Sequence, residues 1–227
     1  MKRAARPPGF TVRSSSRTAR VAAAHDPFGP ASLKCRILLE LARLEFATTT
    51  QLAYWCRASI PGVSRAALTL AKLGHIELCS LPRPFIWYAA GPACWAVMAH
   101  ACHRNTLEIV LDRQQGGFRF LQRVDLLRKG FNPARGEHAG VDAHGSMWLV
   151  LLDDSSMKCE RIGRTWWRRH TPSPRHWPDP TGRCWGDVVQ HYVVACTDTC
   201  RARRHRAWIT TRDVPACVTE IQDPWLA

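Results

Sequence analysis

The chain has 227 residues, a formal net charge of +14 and a pI near 10.0, so it is long enough for one large or two small domains. Such a charge favours a polyanionic partner, nucleic acid before membrane. The N-terminus lacks the apolar core of a secretory signal peptide, and the ten cysteines include no CxxC pair of the kind that closes a zinc site. We therefore expect a cytoplasmic protein with reduced thiols and no structural zinc.

Residues 1–31 form a segment rich in arginine, serine, proline and glycine, with few apolar side chains. This composition predicts a disordered basic arm that can fold over phosphates on binding. An organelle transit peptide has a similar composition and is the alternative for this segment.

Two helices are predicted between Ser32 and Arg57. Ser32 is a good N-cap for a helix that ends near Leu44, and Thr49 or Thr50 then caps a short second helix through about Arg57. Proline and glycine in residues 59–62 predict a turn, after which a third helix leaves at a steep angle.

Residues 63–73 are predicted to be that third helix. Its packed side is expected to hold Val63, Ala67, Leu70 and Leu73, and its outer side Ser64, Arg65, Thr69 and Lys72. Arginine can pair bidentately with guanine, so Arg65 is the candidate for a base contact. Ser64 and Lys72 are better suited to phosphate. A solvated face of an ordinary helix is the alternative.

A β-hairpin and another helix are predicted to follow. Residues 75–78 and 85–88 read as strands around a tip at residues 80–84, where Arg83 stands between two prolines and is placed for a minor groove or a phosphate. A helix is expected from Gly91-Pro92 to about Arg104. The uncharged run at residues 85–102 therefore reads as strand plus helix and not as a membrane span.

These elements resemble a known DNA-binding domain. Arg65, Leu68 and the Gly74-His75-Ile76 step, followed by Trp87-Tyr88 and Gly91, make the chain similar to winged helix-turn-helix domains of bacterial regulators and plasmid proteins. The resemblance implies that residues 32–104 place the third helix in the major groove of double-stranded DNA. Related domains dimerise through a flanking helix, so residues 93–102 either mediate a homodimer or belong to the same core.

Residues 105–227 are predicted to form a small α/β domain, which makes the whole chain α+β. A short apolar element is expected at residues 106–113 and helices at 118–129, 157–170 and 200–210. Strands are expected up to the turn at residues 140–145, at 147–152 and at 188–197. A proline-rich loop occupies residues 171–187.

Acidic residues flank the predicted strand at 147–152. Asp142 precedes it and Asp153 and Asp154 follow it, a layout that resembles the degenerate restriction-endonuclease-like domain of plasmid replication-relaxation proteins. The resemblance implies carboxylates that bind Mg²⁺ and a lysine two residues after the second acid. Serine occupies that place here, and Lys158 is displaced onto the next helix. A non-catalytic domain is therefore favoured over a nuclease, and no cofactor is expected unless the nuclease alternative holds.

Three further groups of residues suggest other chemistry. His138, Asp142 and His144 suit a transition metal, although loop histidines are more often solvated. Cys159 next to Glu160 suggests a nucleophile and a base, but their spacing does not support it. A dense basic patch for phosphate is expected from Arg201, Arg203 and Arg204.

The sequence thus predicts a protein that binds duplex DNA as an accessory factor in plasmid or mobile-element transfer or replication. Protein partners in a DNA-processing complex are also expected, and no membrane contact. The alternatives are a transcriptional regulator and a metal-dependent endonuclease or nickase that uses Asp142, Asp153 and Asp154. A winged helix that binds protein is a further alternative, which the surplus of arginine disfavours.

Overall fold

The computed structural model describes residue 29 and residues 32–79, 86–89, 94–128, 136–153, 157–170 and 189–221. The predicted α+β class is confirmed, because helices accompany two separate sheets. The chain divides into two compact units between Ala101 and Cys102. The predicted arm (apart from residue 29), Arg83, Asp154 and the proline-rich loop lie outside the described residues.

The first unit alternates short helices with three strands. Its elements are α1 (Leu33–Leu44), β1 (Phe46–Thr48), α2 (Thr49–Trp55), α3 (Ile60–Lys72), β2 (Ile76–Cys79) and β3 (Ile86–Ala89). The strands form an antiparallel sheet in the order β1-β3-β2. The first helix has the predicted cap, since the Ser32 hydroxyl accepts from the amide of Cys35 at 3.1 Å.

Capping residues explain where α2 and α3 begin. The predicted cap, Thr49 or Thr50, was wrong: Thr48, at the end of β1, caps α2 in a reciprocal box with Gln51. This helix therefore starts directly from a strand that the sequence did not predict. Ser59 caps α3, and its hydroxyl accepts from the amide of Gly62 at 3.2 Å. Pro61 therefore lies in the first turn of α3, where a missing N–H costs nothing, and not in the preceding turn.

The core of the first unit lies between the three helices and the sheet. Buried leucine and isoleucine side chains of α1 pack with those of α2, α3 and β3. Trp87 on β3 is almost fully buried, and its indole N–H donates to the hydroxyl of Thr49 at 2.9 Å. This hydrogen bond satisfies the single polar group of the Trp87 side chain.

The long helix α4 (Trp95–Gln115) contains the division between the units. This helix includes residues 106–113. The predictions of a separate apolar element there and of a helix end near Arg104 were therefore wrong. The helix predicted at residues 118–129 is also shorter, because β4 (Arg119–Phe120) precedes α5 (Arg123–Arg128). β4 pairs with the strand that follows α5, a long-range contact that no local pattern reports.

The second unit is built on a five-stranded sheet. After α5 come β5 (Glu137–Val141), β6 (Met147–Asp153), α6 (Glu160–His170), β7 (Val189–Cys196), α7 (Thr199–Arg212) and β8 (Cys217–Glu220). The order is β4-β5-β6-β7-β8, with antiparallel pairing from β4 to β6 and parallel pairing from β6 to β8. The predicted β5–β6 hairpin, β7 and α7 are present, whereas β8 was not predicted.

Apolar side chains cover both faces of this sheet. Leu149 and Leu151 of β6 face a cluster that includes Ile162 of α6 and Ile209 of α7. The alternate residues of β6 face a second cluster with Leu107 of α4. A strand buried on both faces reads as a continuous apolar run, which is how residues 147–152 appear in the sequence. No helix within the described ranges is both long enough and apolar enough to cross a lipid bilayer.

Candidate functional site

Helix α3 separates a buried side from a basic side. Val63, Ala67 and Leu70 are fully buried, whereas Arg65 and Lys72 are exposed. The helix contains no acidic residue. The guanidinium Nε of Arg65 lies 3.4 Å from the carbonyl of Pro61, so the side chain runs back along the first turn. The outer side of α3 is therefore cationic, as the sequence predicts.

Apolar side chains also stand on the exposed part of this helix. Leu73 was predicted to pack inward, but it is the C-cap residue and 56% of its surface is exposed. The helix ends there because Gly74 follows in a left-handed conformation, so Leu73 turns away from the buried side. Leu68 is likewise exposed, between Arg65 and Lys72. The remaining predicted contacts, Ser64 and Thr69, are half-buried.

A second group of polar residues gathers at the carboxyl edge of the five-stranded sheet. Asp153 ends β6 and Cys196 ends β7, and the two residues are neighbours in the parallel register. The carboxyl ends of parallel strands meet at one edge, which is where such sheets place their sites. Helix α7 brings Arg201 and His205 to the same place.

Asp153 is the centre of this group. Its carboxylate is 1% exposed, and Oδ1 accepts from Arg201 Nη1 at 2.9 Å and from the Met157 amide at 3.0 Å. Oδ2 lies 2.8 Å from His205 Nε2. Burial alone would raise the pKa of Asp153, but the hydrogen bonds from His205 and Met157 and the charge of Arg201 together hold the pKa below its usual value. Asp153 is therefore ionised at neutral pH.

The hydrogen bonds continue from His205 to a thiol. His205 Nδ1 lies 3.2 Å from the Sγ of Cys159, the residue that precedes α6. Because ionised Asp153 can only accept, Nε2 carries a proton, and in the neutral imidazole Nδ1 then accepts from the thiol. Asp153, His205 and Cys159 thus form a chain, called here the thiol–imidazole–carboxylate cluster.

Asp153, Cys196 and His205 also offer ligand atoms within 4.8 Å of one another. The donor set suits a metal poorly. Both oxygens of Asp153 already accept hydrogen bonds, and the cationic Arg201 occupies one side of the carboxylate. Burial and the neighbouring charge of Asp153 raise the pKa of the Cys196 thiol to about 12, so the thiolate that a metal needs is disfavoured. We interpret the group as a hydrogen-bonded cluster.

Cys159 lines an open groove of about 840 Å³. The groove is bounded by the segment before α6 and by one side of α7. Its charged side chains are Lys158, Glu160, Arg201 and Arg204, so positive charge is in excess. Trp208, Ala207 and Thr211 form its less polar part. Cys159 is 9% exposed; it lines the groove, and its thiol contacts the buried His205.

The predicted nuclease carboxylates are not brought together. Asp142 lies in the β5–β6 turn, where it accepts from the amides of His144 and Ser146 and from the indole of Trp148 at 3.0 Å. Asp153 is at the other end of β6, a strand of seven residues that is about 20 Å long. Lys158 lines the groove. The hydrogen bonds of Asp142 account for it as a residue that fixes the turn.

A carboxylate that was not predicted from the sequence lies nearer to Asp153. Glu137 begins β5, pairs with Leu151 in the antiparallel register, and is buried. It accepts from the hydroxyl of Thr165 at 3.2 Å. The acidic residue that begins β5, a strand with no other carboxylate, is the local signal that could have found it. Within the described residues, His138, Asp142 and His144 do not form a group with metal-ligand spacing.

The predicted basic patch on α7 has two parts. Arg201 is bound to Asp153, and Arg206 contacts Glu220 at 2.8 Å. Arg203 and Arg204 are both exposed. These two residues are the ones whose surroundings best suit a phosphate contact.

The sequence matches no known protein family, and it matches no curated protein. A solved structure, EndoMS in its apo form, is similar over 66% of this chain and 60% of that chain, with 14% sequence identity and a TM-score of 0.33. The alignment thus spans less than two thirds of that protein, and a likeness at this TM-score supports no inference about function.

Proposed function

We propose that this protein binds double-stranded DNA and that residues 32–104 act as a winged helix-turn-helix with α3 in the major groove. The observation that carries the proposal is the division of α3 into a fully buried side and a side whose exposed charges, Arg65 and Lys72, are both positive. The Ser59 cap and the short turn after α2 fix the direction in which α3 leaves α2.

Three exposed side chains of α3 have distinct roles in this proposal. Arg65 stands in the N-terminal half of the helix, which is the part that approaches base edges, and its guanidinium can pair with guanine. Lys72 in the last turn contacts phosphate. Leu68 stands between them and offers an apolar surface to a thymine methyl group.

The second unit adds phosphate contacts through Arg203 and Arg204. We further propose that the protein is an accessory factor in the transfer or replication of a plasmid or other mobile element. The support for this setting is the resemblance to plasmid proteins in residues 65–91. The charge of +14 fits a protein that stays on nucleic acid at physiological salt.

The test is a selection of bound sequences from random duplex oligonucleotides, repeated with Arg65→Ala and Arg65→Lys. The alanine variant should lose about 1–3 kcal/mol of specific binding and relax the preference at one base position. The lysine variant keeps the charge but loses the bidentate pairing, so it should retain non-specific binding and still relax that position. Unchanged affinity and preference in both variants would refute the role of α3.

A further inference from the structure

The thiol–imidazole–carboxylate cluster is the feature that DNA binding does not explain. It runs from the groove to the core through Cys159, His205 and Asp153, with separations of 3.2 Å and 2.8 Å. Arg201 holds the carboxylate from the other side. A cysteine that served only to fill space would need neither the imidazole nor the carboxylate behind it.

We propose that Cys159 is a reactive thiol that undergoes exchange with anionic low-molecular-weight disulfides bound in the groove. The proposal does not require DNA binding, although it shares Arg204 with the proposed phosphate contacts. It assigns a modification site to the second unit, with His205 as the base and Asp153 as the residue that positions the imidazole.

The cluster supplies the proton transfers that exchange requires. Nδ1 of His205 takes the proton of the Cys159 thiol, and Asp153 stabilises the imidazolium through its bond to Nε2. The thiolate attacks one sulfur of the disulfide, so a bond from Cys159 to that sulfur forms as the disulfide bond breaks. The departing thiolate takes the proton back from His205. Cys159 is oxidised to a mixed disulfide, and the other half of the reagent is reduced to a thiol.

The groove favours an anionic reagent. Lys158 and Arg204 line it against a single acid, Glu160, while the charge of Arg201 is paired with Asp153. Its volume of about 840 Å³ falls within the usual range of small-molecule sites. Cys159 also precedes an 11-residue helix, whose N-terminal amides add positive potential at the thiol. A disulfide that carries carboxylates is thus both attracted and oriented.

Other thiols of the chain provide internal standards. Cys94 is exposed at the start of α4 and differs from Cys159 in having a solvated environment. Cys196 is fully buried beside Asp153, with its pKa raised to about 12 by burial. A reactivity that depended on exposure alone would favour Cys94, whereas one that depended only on closeness to the carboxylate would favour Cys196.

The experiment treats the full-length protein with oxidised glutathione, which is anionic, and separately with cystamine, which is cationic. Mass spectrometry of the peptides that contain Cys159 and Cys94 gives the rate of mixed-disulfide formation at each thiol. The ratio of the anionic to the cationic rate should be on the order of tenfold higher at Cys159 than at Cys94. An equal ratio, or no modification of Cys159, would overturn the proposal.

Two neighbouring arginines give a matched pair of variants. Arg204 lines the groove and Arg203 does not, although both are exposed on α7. Arg204→Glu should reduce the rate of Cys159 with oxidised glutathione by roughly tenfold, and Arg203→Glu should have a clearly smaller effect. Equal effects would mean that the net charge of the unit, and not the groove, selects the reagent, which contradicts the proposal.

Asp153→Asn tests the positioning of His205. Without the ionised carboxylate, the rate at Cys159 should fall by at least about tenfold with either reagent, while the ratio of the two rates is kept. Circular dichroism checks that the variant is folded. If the folded variant retains the full rate, Asp153 does not position His205 for the exchange. If this variant does not fold, the comparison of Arg204→Glu with Arg203→Glu still decides the case.

Discussion

His205 Nε2 and Asp153 Oδ2 lie 2.8 Å apart, and both side chains are almost wholly buried. The pair joins residues 52 positions apart in the chain and fastens α7 to the carboxyl end of β6. Arg201 adds a charged hydrogen bond to the same carboxylate. One acidic residue thus holds a helix on the sheet and also positions the imidazole next to Cys159.

The first prediction concerns the stability that Asp153 contributes. Asp153→Asn should lower the free energy of unfolding by about 3 kcal/mol at neutral pH, because a buried ion pair loses one partner. Urea unfolding followed by circular dichroism measures this. The pKa of Asp153 is lower in the folded protein than in the unfolded chain, so its contribution is complete above the unfolded pKa and is lost as pH falls through the folded pKa. The difference between wild type and variant should therefore shrink in acid.

A control for this prediction lies on the same helix and the same sheet edge. Glu220 ends β8 and forms an exposed pair with Arg206 at 2.8 Å. Glu220→Gln should change stability far less than Asp153→Asn, because water solvates and screens the exposed charges. A similar loss of stability in the two variants would show that burial does not explain the contribution of Asp153 to the free energy of unfolding.

The second prediction concerns the cap of α3. The Ser59 hydroxyl accepts from the Gly62 amide, and Ser59→Ala leaves that amide without this partner. The variant should lose about 1 kcal/mol of stability, whereas Ser59→Asp should keep the cap. Thermal unfolding of the two variants measures the difference. If α3 binds DNA, Ser59→Ala should also weaken specific binding while Ser59→Asp retains it, since a frayed first turn misplaces Arg65.

The third prediction separates two roles of Asp142. Hydrogen bonds from Trp148 and from the amides of Ser146 and His144 lower the pKa of Asp142 despite the opposing effect of burial. Asp142→Asn should therefore destabilise the β5–β6 turn, with a loss that is largest at neutral pH and disappears in acid. In an assay with supercoiled DNA and Mg²⁺, the folded variant should behave as the wild type does. Cleavage by the wild type that the variant lacks would restore the nuclease alternative.

Local sequence patterns predicted much of this fold but little of the thiol–imidazole–carboxylate cluster. Apolar periodicity and capping residues predicted α1, α3 and the β5–β6 hairpin, because these depend on neighbours in sequence. The cluster depends on long-range contacts. In the sequence Cys159 stands next to Glu160, whereas its hydrogen-bond partner His205 lies 46 residues away. Asp142 and Asp153 were grouped because they flank one strand, yet a strand of seven residues holds its two ends about 20 Å apart.

The last prediction concerns residues 1–24, whose basic residues are Lys2, Arg3, Arg6, Arg13, Arg17 and Arg20. If these residues neutralise phosphates, their deletion should make the plot of log binding constant against log salt concentration shallower by up to about 5, since each neutralised phosphate contributes about 0.9 to the slope. Fluorescence anisotropy on one duplex across a salt series measures the slope. A variant of equal length with glutamine at these six positions separates the loss of charge from the loss of chain length. It should behave as the deletion does, and a slope equal to that of the wild type in both would make the segment a spacer.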